Sequence, residues 1–456
     1  MGYNFKGGNR EQMYLMPPSV REWLPEKDLA WFILDAVEQM KLGEFYRKYN
    51  ASGKGQAAYD PSLMVSLMLY AYCMGERSSR KIERLCERDI AFKIVAANTV
   101  PDHTTISRFR QEKGEELEEL FTEALKLSAR AGLVKAGVVA LDGTKMKADA
   151  ALEANRSYAH IEEEVKDMFR EAAETDAKED ELYGKDKRGD ELPEELQDRS
   201  SRLLRLKECK RQLEEEAMEE GARKKEKIKA REAEEGMTGK KKRGRKPKEP
   251  TSAPEAGAKA NVTDPDSRIM KTRSGYVQGY NGQAVVTEKQ IIVAAELTTE
   301  ENDIKQLHPM VEKARGNISD LQGNGGEIKT VLSDAGYCSE SNLEKIGPEG
   351  PEHIMGTKKD WKQKKAMREA PPPRGRIPGN LSLRERMERK ILTKRGGALY
   401  KKRGQMVEPV FGQIKSCRGI ERFMRRGFKA CAQEWKLICA THNLLKLWRS
   451  EVVILH

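Results

Sequence analysis

Through residues 1 to 135, apolar side chains recur every three or four positions in segments broken by Pro and Gly, the pattern of helices that each bury one face. Pro61, Leu63, Leu67, Tyr70 and Met74 mark one helix, with Pro in the first turn and Gly75 closing it. A second spans Ser78 to Arg88. A third opens after VPDHTT, where Thr104 or Thr105 is placed to cap free backbone donors, and continues through Ile106 and Phe109 to Leu127. The period changes at Val138: Val138, Val139, Ala140 and Leu141 form an unbroken apolar run ending in Asp142 and the turn residue Gly143, which reads as a buried strand. Residues 276 to 298 read as two strands joined around Glu288 and Lys289. A helix from Asn302 to Ala314, a buried strand from Ile328 to Ser333 ending in Asp334, a short strand from His353 to Gly356 and a helical region from Glu408 to Trp448 complete an α/β order.

Residues 151 to 260 interrupt that order. They are rich in Glu, Lys, Arg and Ala, and runs such as SSRLLRLKECKRQLEEEAMEE carry leucines at helical spacing, so a solvated helical hairpin or coiled-coil arm is expected, broken near Gly184 to Pro193. Gly236 to Pro254 is too charged to fold alone. The expected organisation is a helical domain over 1–135, a discontinuous α/β domain over 136–150 and 261–456, and the arm inserted between its parts.

Charge narrows the partner. Lys and Arg number 84 against 73 Asp and Glu, a net +11 that favours a polyanion, with nucleic acid the leading case. Seven cysteines, an odd number without a CxxC pair, indicate neither a disulfide framework nor a zinc finger and suit a reducing compartment. No run approaches the length of a membrane span, and the N-terminus lacks an apolar signal core, so the expected location is cytoplasmic.

Two apolar strands end in a lone aspartate, Asp142 and Asp334. At the carboxyl edge of a parallel arrangement two such residues approach one another, and carboxylates held close repel unless a cation lies between them. Mg²⁺ suits a sparse carboxylate site because it keeps waters for phosphate oxygens. The bland alternative is that each aspartate starts a turn or caps a helix. A third acid raises the pair: Glu408 lies between Arg403 and Lys415, and seven residues, two helical turns, separate Glu408 from Lys415 on one face. Pro409 fits a first helical turn, which predicts Glu408 at a helix start. A surface Glu and Lys pair is the alternative there.

The blocks ALDGTKMKADA, LSDAGYCSESN and ALYKKRGQMVEPVFGQIK, the last carrying Y-x2-R-x4-E-x6-K, resemble in order the three catalytic motifs of DDE transposases of bacterial insertion sequences. NREQMYLMPPSVREWLPEKD and VPDHTTISRFR resemble the helical leader of that family. The resemblance implies an RNase H-like mixed sheet with flanking helices. It also implies a metal-binding triad of Asp142, Asp334 and Glu408 holding two Mg²⁺ ions, with Mn²⁺ as an alternate. Tyr400, Arg403 and Lys415 become motif partners contacting DNA near the cleaved strand. The family spacing between Arg and Glu is three residues, whereas four separate Arg403 from Glu408, with Gly404 available to absorb the difference. The implied partners are double-stranded DNA at element termini and target, bound by a homodimer at the bacterial nucleoid.

Residues 358 to 429 hold 23 Lys or Arg against 6 Asp or Glu, which centres a positive field on Glu408. KKKRGRKPK resembles an AT-hook core in which Arg243 and Arg245 enter a minor groove, level with a plain solubilising linker. Arg108 and Arg110, near the start of a longer helix, suit a helix-turn-helix reader, although a bundle with solvated arginines is the favoured reading of their spacing. A metal-dependent nuclease without strand transfer and a non-enzymatic basic DNA-binding protein are the rival functions.

Overall fold

The computed structural model describes residues 22–451 except 48, 50–57, 169, 171–193, 239–250, 252, 273–274, 322–324 and most of 359–374. The hook arginines Arg243 and Arg245, and most of the leader motif before Asp28, lie outside the described residues.

Among the described residues seven helices precede the first strand: α1 (Leu29–Glu38), α2 (Gly43–Tyr46), α3 (Pro61–Cys73), α4 (Ser79–Arg88), α5 (Ile90–Val95), α6 (His103–Glu112) and α7 (Gly114–Arg130). α3 begins with Pro61 behind the Asp60 cap and ends before Gly75, whose φ of 81° suits a residue without a side chain. α6 is capped by Asp102, whose carboxylate accepts from the amides of Thr104 and Thr105 at 2.9 Å each, rather than by either threonine. The expected single helix to Leu127 is two, broken at Lys113.

The sheet combines β1 (Val138–Lys147), β4 (Arg268–Thr272), β5 (Gly275–Thr287), β6 (Ile292–Thr298), β7 (Thr330–Ser333) and β8 (Glu352–Met355), ordered β4-β5-β1-β7-β8 with β6 also on β5. β1, β7 and β8 are parallel; β5 runs antiparallel to β1. This is the mixed sheet of an RNase H-like fold. β1 does not turn at Gly143 but continues to Lys147, paired with β5 as far as Gly279. Gly143 is glycine for want of room, since a Cβ there would meet Gln283, Asp303 and Asn281 side chains.

α10 (Leu307–Ser319) starts later than expected. A helix from Asn302 would bury Pro309 in its interior, whereas a start at Leu307 leaves the proline in the first turn. α11 (Glu340–Glu344) and α12 (Leu383–Leu392) lead to α13 (Lys394–Gly412), a π-helical turn (Gln413–Cys417) and α14 (Phe428–Arg449).

One apolar core runs from Leu29 in α1 to Leu447 in α14. Trp435 of α14 is fully buried against Gly282 of β5, where a Cβ would meet its indole at 3.0 Å. The arm has a separate small core: Ile161 and Val165 of α8 (residues 158–168) pack on Leu206, Cys209 and Leu213 of α9 (Glu194–Thr238). Pairs Tyr158 with Glu214 and Glu164 with Arg202 run in opposite directions, so the arm is an antiparallel hairpin, pinched at its base by β2 (Asn155–Ser157) on β3 (Lys259–Asn261). All seven cysteines are free. Among the described residues, no helix is long and apolar enough to cross a membrane.

Candidate active site

Strand register brings the two aspartates together. Leu141 of β1 is opposite Ser333 of parallel β7, so Asp142 and Asp334 each follow a registered pair on strands about 4.8 Å apart. Each carboxylate is oriented by a backbone amide: Gly143 N donates to Asp142 Oδ1 at 2.9 Å, and Gly336 N to Asp334 Oδ1 at 2.7 Å. Burial pushes the Asp142 carboxyl up to about 6, with the Asp334 charge pushing the same way and Arg403 opposing both.

α13 delivers the third acid, but not at a helix start. Pro409 lies inside α13, and Glu408 sits one residue before it in the penultimate turn. A proline there leaves the Gln405 carbonyl without its helical donor, and Gln290 Nε2 supplies one at 3.1 Å. The turn after Gly412 then widens into the π-helical segment, so the helix tolerates the proline by external satisfaction and local widening.

Arg403 stands between the acids. Its Nη1 lies 2.7 Å from Asp142 Oδ2 and its Nη2 4.0 Å from Glu408 Oε1, while the Glu408 side chain is 73% exposed. Glu408 folds back over Gly404, where a Cβ would stand 3.4 Å from its Oε1. Among the described residues no three His, Cys, Asp or Glu side chains are close enough to hold a metal ion. The three acids nevertheless offer only oxygen donors, the kind that suits a hard cation, with the Arg403 guanidinium seated between Asp142 and Glu408 as the positive charge. Tyr400 reaches under this group; its hydroxyl takes the space a Cβ on Gly356 would need, beside the Ala335 amide. Lys415, in the π-helical turn, donates from Nζ to the Lys145 carbonyl at 2.6 Å, and burial pulls both ammonium groups below the ordinary lysine value.

Four polar residues behind the aspartates escaped the sequence reading: Asn281 and Gln283 on β5, Asp303 ahead of α10, and Tyr337 after β7. Tyr337 donates its hydroxyl to Gln283 Oε1, and Gln283 Nε2 donates to Asp303 Oδ1 at 2.8 Å. For Asn281 and Gln283 the signal was a polar residue on a strand buried on both faces from Gln278 onward.

The helical part carries a second basic feature. Arg108 is exposed beside a cleft of about 490 Å³ that Arg80, Ser79 and His103 also line. Arg110 is buried instead: its guanidinium donates to the Arg77 carbonyl at 2.7 Å and to Ser79 Oγ. The surface role expected for Arg110 is therefore replaced by a structural one, because α6 turns that face onto α4.

Residues 18–112 match the family model described as a transposase domain, and residues 250–444 match the model described as a transposase DDE domain. The second match contains Asp334 and Glu408; Asp142 lies before it. No curated protein and no solved structure matches the chain.

Proposed function

Because this chain belongs to the DDE transposases, which act on DNA and use divalent metal ions, we propose that Asp142, Asp334 and Glu408 are its catalytic triad, cutting and joining DNA at the ends of an insertion sequence. The observation that carries this reading is the β1 and β7 register with α13 laid across it, which sets two aspartates side by side and a third acid within reach of Arg403.

The residues that would hold Mg²⁺ are Asp142, Asp334 and Glu408, with Mn²⁺ a substitute. When bound, two such ions activate a water and neutralise charge on the leaving oxygen. Arg403 orients Asp142 through their 2.7 Å ion pair, and its planar guanidinium suits bidentate contact with a phosphate of the cleaved strand. Lys145 and Lys415 present two further positive charges along β1. In the first step a water oxygen bonds to phosphorus and the 3′-oxygen of the element end leaves as a hydroxyl. In the second that hydroxyl bonds to a target phosphorus and displaces the target's 3′-oxygen, so no ATP and no covalent enzyme intermediate is required. Arg108 and the cleft beside it contact the terminal duplex, and two element ends call for a homodimer. The hook around Arg243 and Arg245 adds minor-groove affinity.

Incubation with a labelled duplex bearing the element end and a supercoiled target, with and without Mg²⁺, tests the proposal. Metal-dependent nicking and joining in the parent, with Asp142→Asn, Asp334→Asn and Glu408→Gln each losing both by at least a hundredfold, is expected. Nicking without joining would replace it with a nuclease; full activity in Glu408→Gln would remove Glu408 from the triad.

A further inference from the structure

Asp303 occupies the turn between β6 and α10, beside Gly143 within β1 and Gly336 just past β7. An aspartate ahead of a helix ordinarily caps it, but the Asp303 side chain accepts from no amide of the turn that follows. Its Oδ1 is instead held from behind by Asn281 Nδ2 at 2.7 Å and Gln283 Nε2 at 2.8 Å. Both amides come from fully buried side chains, and burying two of them to fix one carboxylate oxygen is a cost that a solvated turn does not require.

The other edge of the carboxylate faces the aspartate pair. A Cβ on Gly336 would lie 3.3 Å from Asp303 Oδ2 and 2.8 Å from Asp334 Oδ1, so these two oxygens border the same small space. On the β1 side, a Cβ on Gly143 would stand 2.7 Å from Asp303 Oδ1 and 2.9 Å from Asn281 Oδ1. Asn281 Oδ1 is fully buried and has no hydrogen-bond partner among the described residues. Lys145 Nζ, at 3.7 Å from Asp303 Oδ1, is the cation paired with this acid. The glycines after Asp142 and Asp334 thus clear room for a third aspartate, with Gln283 Nε2 and Lys145 Nζ on its Oδ1 side and its Oδ2 turned to the space that Asp334 Oδ1 also borders.

Resting on the triad reading above, we propose that Asp303 is a fourth carboxylate of the divalent-cation site, offering Oδ2 to an ion shared with Asp334 while Asn281 and Gln283 fix its orientation. Amide partners behind a carboxylate are the usual means of aiming a metal ligand.

Mn²⁺ binding to the full-length, DNA-free chain, followed by the loss of the free-ion paramagnetic resonance signal, tests this. Asp303→Asn is expected to weaken Mn²⁺ roughly tenfold or more. Asp303→Cys is expected to bind Mn²⁺ weakly and Cd²⁺ tightly, a change of metal preference that a purely structural residue would not produce. A readout without substitution guards against misfolded variants: carbodiimide labelling of carboxylates in the intact chain, read by mass spectrometry, should show Asp303 protected by Mn²⁺ together with Asp142 and Asp334. Unchanged Mn²⁺ affinity in Asp303→Asn, or labelling of Asp303 indifferent to Mn²⁺, overturns the proposal. If Asp142→Asn still loses Mn²⁺ in that case, the triad survives; if it too binds as the parent does, the triad falls with it.

Discussion

Arg403 touches Asp142 directly and approaches Glu408, so it competes with any cation for the same carboxylates. Removing it in Arg403→Ala should tighten Mn²⁺ binding by about 1 kcal/mol, roughly fivefold, as one partly buried positive charge is withdrawn. DNA nicking should slow in the same variant, because the guanidinium is lost as a phosphate ligand; weaker Mn²⁺ binding would show that Arg403 organises the acids rather than competing for them. Two buried histidines oppose folding at acid pH. Burial lowers His442 to about 3 and His353 to about 4, below an unfolded value near 6.5. A depressed base is stable in its neutral form, so the stability both contribute is present above pH 6.5 and is lost as pH falls toward their folded values. At pH 5 each costs about 2 kcal/mol. Urea midpoints between pH 7 and 5 should therefore fall, and fall less in His442→Gln, whose amide keeps a donor for the Gln290 carbonyl that His442 Nε2 faces at 2.9 Å.

The α13 element carries both the candidate site residues Arg403 and Glu408 and core-packing residues. The apolar periodicity of the chain placed every strand of the main sheet except β4, along with most helices. It misplaced the start of α13, because Pro409 reads as a first-turn residue in isolation and only Gln290 from the β5–β6 turn makes an interior position tolerable. Gln290 adopts a φ of 63°, and its side-chain oxygen also accepts from Gln413 Nε2 at 3.3 Å and Lys446 Nζ at 2.5 Å. Gln290→Ala should cost about 1–3 kcal/mol in thermal or urea unfolding by orphaning the Gln405 carbonyl and freeing Lys446. In a Pro409→Ala background that cost should shrink, since the restored amide serves Gln405 itself. A double-mutant cycle with no coupling would show that the proline is tolerated for another reason.

Across the whole molecule the N-terminal helices are not a loosely tethered unit. Arg77, just before α4, pairs with the fully buried Glu434 of α14 at 3.0 Å, and Glu434 also accepts from the Met424 and Arg425 amides. Arg77→Met leaves that carboxylate buried without its counter-charge and should destabilise the protein by about 3–5 kcal/mol. The loss should appear as one cooperative transition moving to lower temperature, given the shared core from α1 to α14. An early transition confined to the helical part, with the rest unshifted, would contradict the shared core. The arm is different in kind: its small core and ribbon base are separate from the main core.

Periodicity and local chemistry determined the α/β order, the interrupting arm, and an aspartate directly after the apolar run of β1 and of β7, because those signals lie within a few residues of one another along the chain. Where Arg403, Asn281, Gln283 and Asp303 stand was decided only by tertiary structure. Their role depends on strand register and helix docking, and a buried amide on β5 reads as a strand residue until the acid it holds, some twenty positions later, is folded against it.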